Sequence, residues 1–213
     1  MKIVIALDKF KGSLTAPDAC EIVRRELLGV RPDAHVVIKP MADGGDGTAD
    51  ALHAALGGKW ITKQVTGPLP AQPCPKITSV PVGATFLSRP ESEDRGKNAA
   101  PTTAQTVTAR YLWLAQERRA FIEMAQASGL VLVPPSQRNP LLTTTRGTGE
   151  LLADAIARGA QRIWLTVGGS ATTDGGIGAA TALGWQFLDA TGKPVQPTGG
   201  ELEKIATLRW IFA

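Results

Sequence analysis

The chain has 213 residues, 43% of them hydrophobic and 20% charged, and a formal net charge of +4 at neutral pH. The length fits one large or two small domains, and the composition is that of an ordinary globular protein. Basic residues are scattered and aromatic residues are few, which argues against a nucleic-acid partner and suits an anionic small molecule. No run approaches the ~18 apolar residues of a membrane span, and residues 1–7 are too short for a signal peptide. We therefore expect a cytoplasmic protein without a membrane partner.

Strand and helix patterns alternate over the first 70 residues. Strands are predicted at 2–7, 34–39 and 60–65. A charged loop follows the first strand and leads to Thr15, a predicted N-cap of an amphipathic helix. A loop of glycine and aspartate follows the second strand and opens another helix near Thr48. Residues 1–70 are predicted to be the N-terminal part of a first α/β domain.

Residues 71–119 break this pattern. Prolines interrupt the segment, and residues 88–108 are mostly polar without a clear period. A long stretch without secondary structure is unusual inside a compact domain. We expect an atypical insert or a poorly ordered segment.

The alternation returns in residues 120–213, which we assign to a second α/β domain. Strands are predicted at 120–124 and 163–167. Strands that alternate with helices imply parallel sheets flanked by helices. Ligands bind outside the carboxyl ends of such strands. The loops that contain Asp8, Asp43 and Ser170 are therefore expected to converge.

The glycine-rich loop at 167–178 is the most informative stretch. It leads from a strand into a helix, where backbone N–H groups and the helix dipole favour an anion and glycines let it come close. No GxxxxGK[ST] or GxGxxG pattern is present, so neither a Walker loop nor a dinucleotide fingerprint is predicted. Asp174 is a candidate general base or metal ligand, or alternatively the N-cap of the next helix. The remaining alternative is a tight turn without a ligand.

The two earlier loops carry charged side chains. Lys9 and Lys11 are able to hold a carboxylate or phosphate, or they are solvated loop residues. Asp43 and Asp46 are able to hold Mg²⁺ or substrate hydroxyls, or they serve as helix caps. Glu123 follows a later strand and either faces the same cleft or is a surface carboxylate.

These loops together resemble the glycerate kinase family. The resemblance rests on several separate motifs in the same order, at residues 5–16, 42–48, 65–69, 122–130, 139–151 and 168–176. It implies two α/β domains, one inserted into the other, with the active site in the cleft between them. The implied reaction transfers the γ-phosphoryl group of ATP to D-glycerate with Mg²⁺, and 2-phosphoglycerate is favoured over 3-phosphoglycerate as the product.

The resemblance also implies roles for individual residues. The catalytic residues would be Asp174 and Lys11, and Asp43 and Asp46 would hold the metal. Substrate would be bound by Asp8, Lys9, Ser13, Asp43, Gly44, Gly45, Asp46 and Glu123. The nucleotide would be bound by Gly168, Gly169, Ser170, Thr172, Thr173, Gly175 and Gly176.

The sequence departs from the family in three respects. Lys9 replaces a usual Ser, and Asp46 replaces a usual Glu. Residues 71–119 do not resemble the short segment expected there. Family members are also far longer, so we expect an N-terminal fragment whose fold is incomplete at the C-terminus.

Two other functions follow from these departures. An inactive remnant would bind an anion or a partner without catalysis, and apolar residues around 208–212 would then drive self-association. A weaker alternative is an oxidoreductase or another sugar-type kinase.

Overall fold

A computed structural model of the chain describes residues 1–10, 13–70 and 105–211. Three 3-10 turns, at Leu130–Leu132, Pro135–Gln137 and Gly199–Lys204, accompany the regular elements. None of the helices in these ranges is long and apolar enough to cross a membrane. The strands and helices, in chain order, are β1 (Lys2–Ile5), α1 (Ala16–Val30), β2 (His35–Ile38), α2 (Thr48–Leu56), β3 (Lys59–Thr66), β4 (Thr106–Leu114), β5 (Arg119–Glu123), α3 (Ala125–Ser128), α4 (Arg146–Ala157), β6 (Arg162–Thr166), α5 (Ile177–Ala182), β7 (Trp185–Leu188) and β8 (Thr207–Trp210).

The strands form three sheets. β1 and β2 pair in parallel, and β7 and β8 form an antiparallel pair. The central sheet has the order β3-β4-β5-β6, in which β5 and β6 run parallel and the other pairs run antiparallel. The predicted α/β class is confirmed. β1–β2 and β5–β6 pair in parallel as predicted, whereas the central sheet as a whole is mixed. The division into two domains stays a prediction.

The central sheet is covered by helices on both faces. Successive side chains of a strand point to opposite faces. Tyr111 and Ile122 therefore lie on the face that packs against Leu151 of α4. Leu112 and Phe121 lie on the other face, where Leu52 of α2 packs against them (Leu52 being partly buried). This layering places α2, and the loop before it, next to the central sheet.

The structure differs from the prediction for residues 71–119. Residues 106–114 form β4, which pairs with β3 from Thr106 opposite Thr66 to Trp113 opposite Lys59. Both faces of β4 are covered, so apolar residues occur at consecutive positions and no alternation marks the strand. Residues 71–104 lie outside the described ranges.

A partly buried carboxylate joins α4 to the two strands beneath it. Asp154 accepts hydrogen bonds from the Tyr111 hydroxyl (2.7 Å) and the Arg158 Nε (2.7 Å), and its Oδ1 lies 2.9 Å from Lys63 Nζ. Burial opposes ionisation of Asp154, but the bonds from Arg158, Tyr111 and Lys63 outweigh it and lower its pKa to about 2. Burial, together with the bond to Asp154, raises the pKa of Tyr111.

Asp154→Asn is expected to reduce the free energy of unfolding by about 2 kcal/mol at pH 7, as follows from lowering a carboxyl pKa from 3.8 to about 2. The folded-state pKa is depressed, so this contribution is present above pH 4 and is lost as the pH falls toward 2. Urea unfolding of both proteins from pH 7 to pH 2 measures it. Asp33→Asn, in an exposed pair with Arg31, is the control. An equal difference at every pH would contradict the account.

Candidate active site

Three loops meet at the carboxyl ends of β1, β2 and β6 and enclose a pocket of about 990 Å³. The first two loops precede α1 and α2, and the third leads toward α5. The predicted residues that line the pocket are Asp8, Lys9, Ser13, Asp43, Gly45, Asp46, Gly168 and Gly169. The sequence predicted this convergence from the alternation of strands and helices.

Lys9 and Asp43 form an ion pair across the pocket. The Lys9 Nζ lies 3.0 Å from the Asp43 Oδ1, which also accepts the Gly45 N–H at 2.9 Å. The hydrogen bond to Asp43 raises the pKa of Lys9. The Gly45 N–H and then the Lys9 ammonium lower the pKa of Asp43. Both groups therefore stay charged near neutral pH, and the ammonium is held at a fixed place on the pocket wall.

The second and third loops touch through their backbones. The Gly168 N–H donates to the Gly44 carbonyl at 3.1 Å. A Cβ on Gly168 would lie 2.5 Å from the Gly45 Cα, a distance that no side chain tolerates. Gly44 also has a φ of +89°, in the left-handed region that favours glycine. The glycines predicted to face a ligand therefore also let two loops pack directly on each other.

Glu123 lies beside this site rather than in it. Its side chain is buried, with 2% of the residue exposed. Oε1 accepts the Ala49 N–H at 2.6 Å and Oε2 accepts the Gln126 side-chain amide at 3.2 Å. Both oxygens are occupied and Glu123 does not line the pocket, so its role as a substrate ligand stays a prediction. The alternative of a surface carboxylate is wrong, because the residue is buried.

Asp174 is 1% exposed and is likewise absent from the pocket wall. Its Oδ2 accepts the Thr145 N–H (2.7 Å), the Thr145 hydroxyl (2.8 Å) and the Gly178 N–H (3.2 Å), and its Oδ1 accepts the Gly176 N–H (3.0 Å). These bonds join the N-termini of α4 and α5. The role of a general base or metal ligand stays a prediction, and these bonds fit the alternative of a helix cap.

The remaining predicted nucleotide-binding residues do not line the pocket. Thr172 donates its hydroxyl to the Thr143 carbonyl at 2.9 Å, and Thr173 donates to Pro140 at 3.3 Å. The Ser170 hydroxyl donates to the Thr172 carbonyl at 3.0 Å. Gly175 and Gly176 have positive φ and form the turn into α5. Only Gly168 and Gly169 of this loop reach the pocket, and the predicted catalytic Lys11 lies outside the described residues.

The carboxylates of the pocket offer few metal ligands by themselves. Within the described ranges, no three His, Cys, Asp or Glu side chains converge as a metal site. The Asp43 Oδ1 is shared by Lys9 and Gly45, whereas Asp46 makes no hydrogen bond to a described residue. The donors fit Mg²⁺ only when ligand or water oxygens complete its shell, as is usual for this ion.

Sequence reasoning missed three polar residues of the pocket, Thr15, Asp50 and Gln126, and several apolar ones. Gln126 contributes from the start of α3, and Phe10, Leu14 and Met41 contribute apolar surface. Gln126 lies three residues after Glu123, which was the available signal for it. The apolar residues lie next to or near the charged loop residues in the sequence, and this adjacency was the signal for them.

The model of the glycerate kinase family matches residues 3–80 and 87–211 of this chain. The chain belongs to the glycerate kinase family. The match also covers most of 71–119, which the resemblance had left out.

Solved and curated relatives agree with this family. The chain is 40% identical to the glycerate kinase of Bacillus cereus over 98% of its own length and 46% of that protein's. It is 38% identical to the glycerate 2-kinase of Escherichia coli over 96% of its own length and 45% of that protein's. A crystal structure of a candidate glycerate kinase 2 from Salmonella typhimurium LT2 matches with a TM-score of 0.72 and 38% identity. That match covers 98% of this chain and 46% of the other. The chain thus spans about half the length of these family members.

Gly168→Ala is expected to lower the free energy of unfolding by about 2 kcal/mol, because the new methyl group must displace the backbone of Gly45. Thermal and urea unfolding measure the effect. Gly29→Ala is the matched control, since nothing lies within 4 Å of its Cβ position in α1, and alanine favours a helix. Equal stability of the two variants would show that the loops do not touch as described.

Asp174→Asn is expected to cost about 3 kcal/mol of unfolding free energy, because an amide cannot accept all four bonds and its NH₂ would face another donor. Urea unfolding gives the value. Asp46→Asn is the matched control and should change it by less than about 0.5 kcal/mol. Wild-type stability of Asp174→Asn would contradict the capping role of Asp174.

Proposed function

We propose that the chain carries the substrate-binding part of a glycerate kinase and that its pocket binds D-glycerate for phosphorylation by ATP. The observation that carries the proposal is the Lys9 ammonium, held 3.0 Å from Asp43 in a pocket at the carboxyl ends of strands. The family match supports the substrate. The whole reaction is a proposal because the chain spans about half of its relatives.

The pocket suits the chemistry of a small hydroxy acid. The substrate carboxylate pairs with the Lys9 ammonium, a charge-assisted contact. Its hydroxyls donate to the carboxylates of Asp43 and Asp46. These contacts orient one hydroxyl toward the incoming phosphoryl group, and positioning supplies most of the catalysis in such transfers.

The transfer forms one bond and breaks another. The substrate hydroxyl oxygen bonds to the γ-phosphorus of ATP, and the bond from that phosphorus to the bridging oxygen breaks, so that ADP leaves with the electron pair. We assign the hydroxyl proton to Asp46, which has no bond to a described residue. Asp43, together with phosphate and water oxygens, would hold Mg²⁺, and the ion would supply charge neutralisation on the phosphates when bound.

The position of phosphorylation is proposed as the 2-hydroxyl. The name of the Escherichia coli relative, glycerate 2-kinase, supports 2-phosphoglycerate over 3-phosphoglycerate. A cytoplasmic location and the lack of nucleic-acid and membrane partners stay predictions from the sequence.

The second candidate is a remnant that binds an anion without transferring phosphate. Apolar residues of β6 and beyond favour it: Trp164 is 40% exposed, and Val167 is 66% exposed. Leu208 in β8 is 59% exposed. Such surface supports self-association of the chain.

The test is ADP release by the 213-residue chain with Mg-ATP, with and without D-glycerate. Lys9→Met is expected to raise the KM for D-glycerate at least about 10-fold, because a charge-assisted hydrogen bond is lost. Lys59→Met, at the exposed start of β3, is the control and should behave as wild type. Glycerate-independent ADP release would contradict the kinase. D-Glycerate binding by calorimetry without turnover would favour the remnant.

A further inference from the structure

The N-terminus of α2 has no cap from its own loop. The N-cap position is Gly47, with a φ of +90° and no side chain to accept a hydrogen bond. The Thr48 hydroxyl donates to the Gly45 carbonyl at 2.7 Å, so it is occupied as well. Asp46 is the nearest carboxylate in sequence, yet it makes no hydrogen bond to a described residue. The Thr48 N–H donates to the Gly45 carbonyl at 3.2 Å, so it is the next N–H group, that of Ala49, that needs an acceptor from elsewhere in the fold.

That acceptor is Glu123, from the carboxyl end of β5. Its Oε1 accepts the Ala49 N–H at 2.6 Å across 74 positions of sequence. A buried carboxylate is favoured there by the N–H group and by the helix dipole. Its Oε2 accepts the side-chain amide of Gln126, which lines the pocket. One side chain thus contacts both a helix end and a pocket residue.

The bond to Ala49 also fixes the loop before α2. That loop runs directly into the first turn of the helix and carries Asp43 and Asp46 into the pocket. On its other side it is held by the Gly168 N–H bond to Gly44. Loss of the Glu123 contact would release the helical end of the loop, which would then be held by the Gly168 bond and by the Lys9–Asp43 ion pair.

We propose that Glu123 is a positioning residue of the pocket. It caps α2 from the central sheet, so that the Asp46 carboxylate, which makes no hydrogen bond to a described residue, is not needed as the cap, and it orients Gln126 at the pocket wall. Glu123 itself does not touch the ligand. The identity of that ligand rests on the proposed function. The contacts of Glu123 with Ala49 and Gln126 do not depend on it.

The kinetics of Glu123 variants distinguish three roles for this side chain: a positioning residue, a group that reacts with substrate, and a contact that only stabilises the fold. In Glu123→Gln, the amide oxygen still accepts from Ala49 and Gln126 rotates its amide to match. A positioning role therefore predicts that Gln keeps kcat/KM for D-glycerate within about 5-fold, whereas Ala loses about 100-fold, with a raised KM. Equal losses in Gln and Ala would indicate a group that reacts with substrate and would overturn the proposal. An unchanged KM in the Ala variant would indicate only a fold contact and would also overturn it.

Amide hydrogen exchange tests the same proposal without turnover. In Glu123→Ala, the amides of Thr48–Asp50 should exchange about 10-fold faster than in wild type, as expected for a lost helix cap. Glu150→Ala is the matched control: Glu150 accepts the Thr66 N–H at 2.7 Å, so its loss should leave these α2 amides unchanged. Wild-type exchange in Glu123→Ala would overturn the proposal. A wild-type chain that lacks turnover but shows the selective exchange would refute the kinase alone.

Discussion

Carboxylates that accept backbone N–H groups from distant segments hold this structure together. Glu123 bonds to the start of α2, and Asp174 bonds to the starts of α4 and α5. Glu150 bonds to Thr66 at the end of β3. The contacts of Glu123 with Ala49, of Asp174 with Thr145 and of Glu150 with Thr66 join elements that are far apart in sequence, and each lies close to a loop at the carboxyl end of a strand. The positions of these loops, and hence the pocket, depend on them.

These bonds to backbone N–H groups distinguish two sets of carboxylates, those that hold the fold and those that are exposed in the pocket. The buried carboxylates have all their oxygens occupied by backbone or side-chain donors, so they are poorly suited to exchange protons with a ligand. The exposed carboxylates of the pocket, Asp43 and Asp46, lie on a glycine-rich loop, and the Lys9 ammonium pairs with Asp43. Lys9 adds a cation that Asp43 holds in place. Structure and chemistry are thereby assigned to different aspartates and glutamates.

The sequence predicted the convergence of the three loops because parallel strands end at one edge and glycines mark the turns there. It also predicted the α/β class, because segments with the pattern of a strand alternate along the chain with segments that have the pattern of a helix. It left the roles of Asp174 and Glu123 open because a carboxylate in a loop has the same local sequence whether it faces a ligand or caps a helix. Only the tertiary placement of Thr145 and Ala49 decides between these roles. β4 was missed because burial of both faces removes the alternation that identifies a strand.

The account locates ligand binding at the ion-paired pocket and not at the turn before α5. The most direct test is a titration of the ¹⁵N-labelled chain with D-glycerate, followed through the backbone amide shifts. The account predicts saturable shifts at Gly45 and Gly168, with little change at Gly175 and Gly176. Saturable shifts confined to Gly175 and Gly176 would contradict it and return the site to the glycine-rich turn.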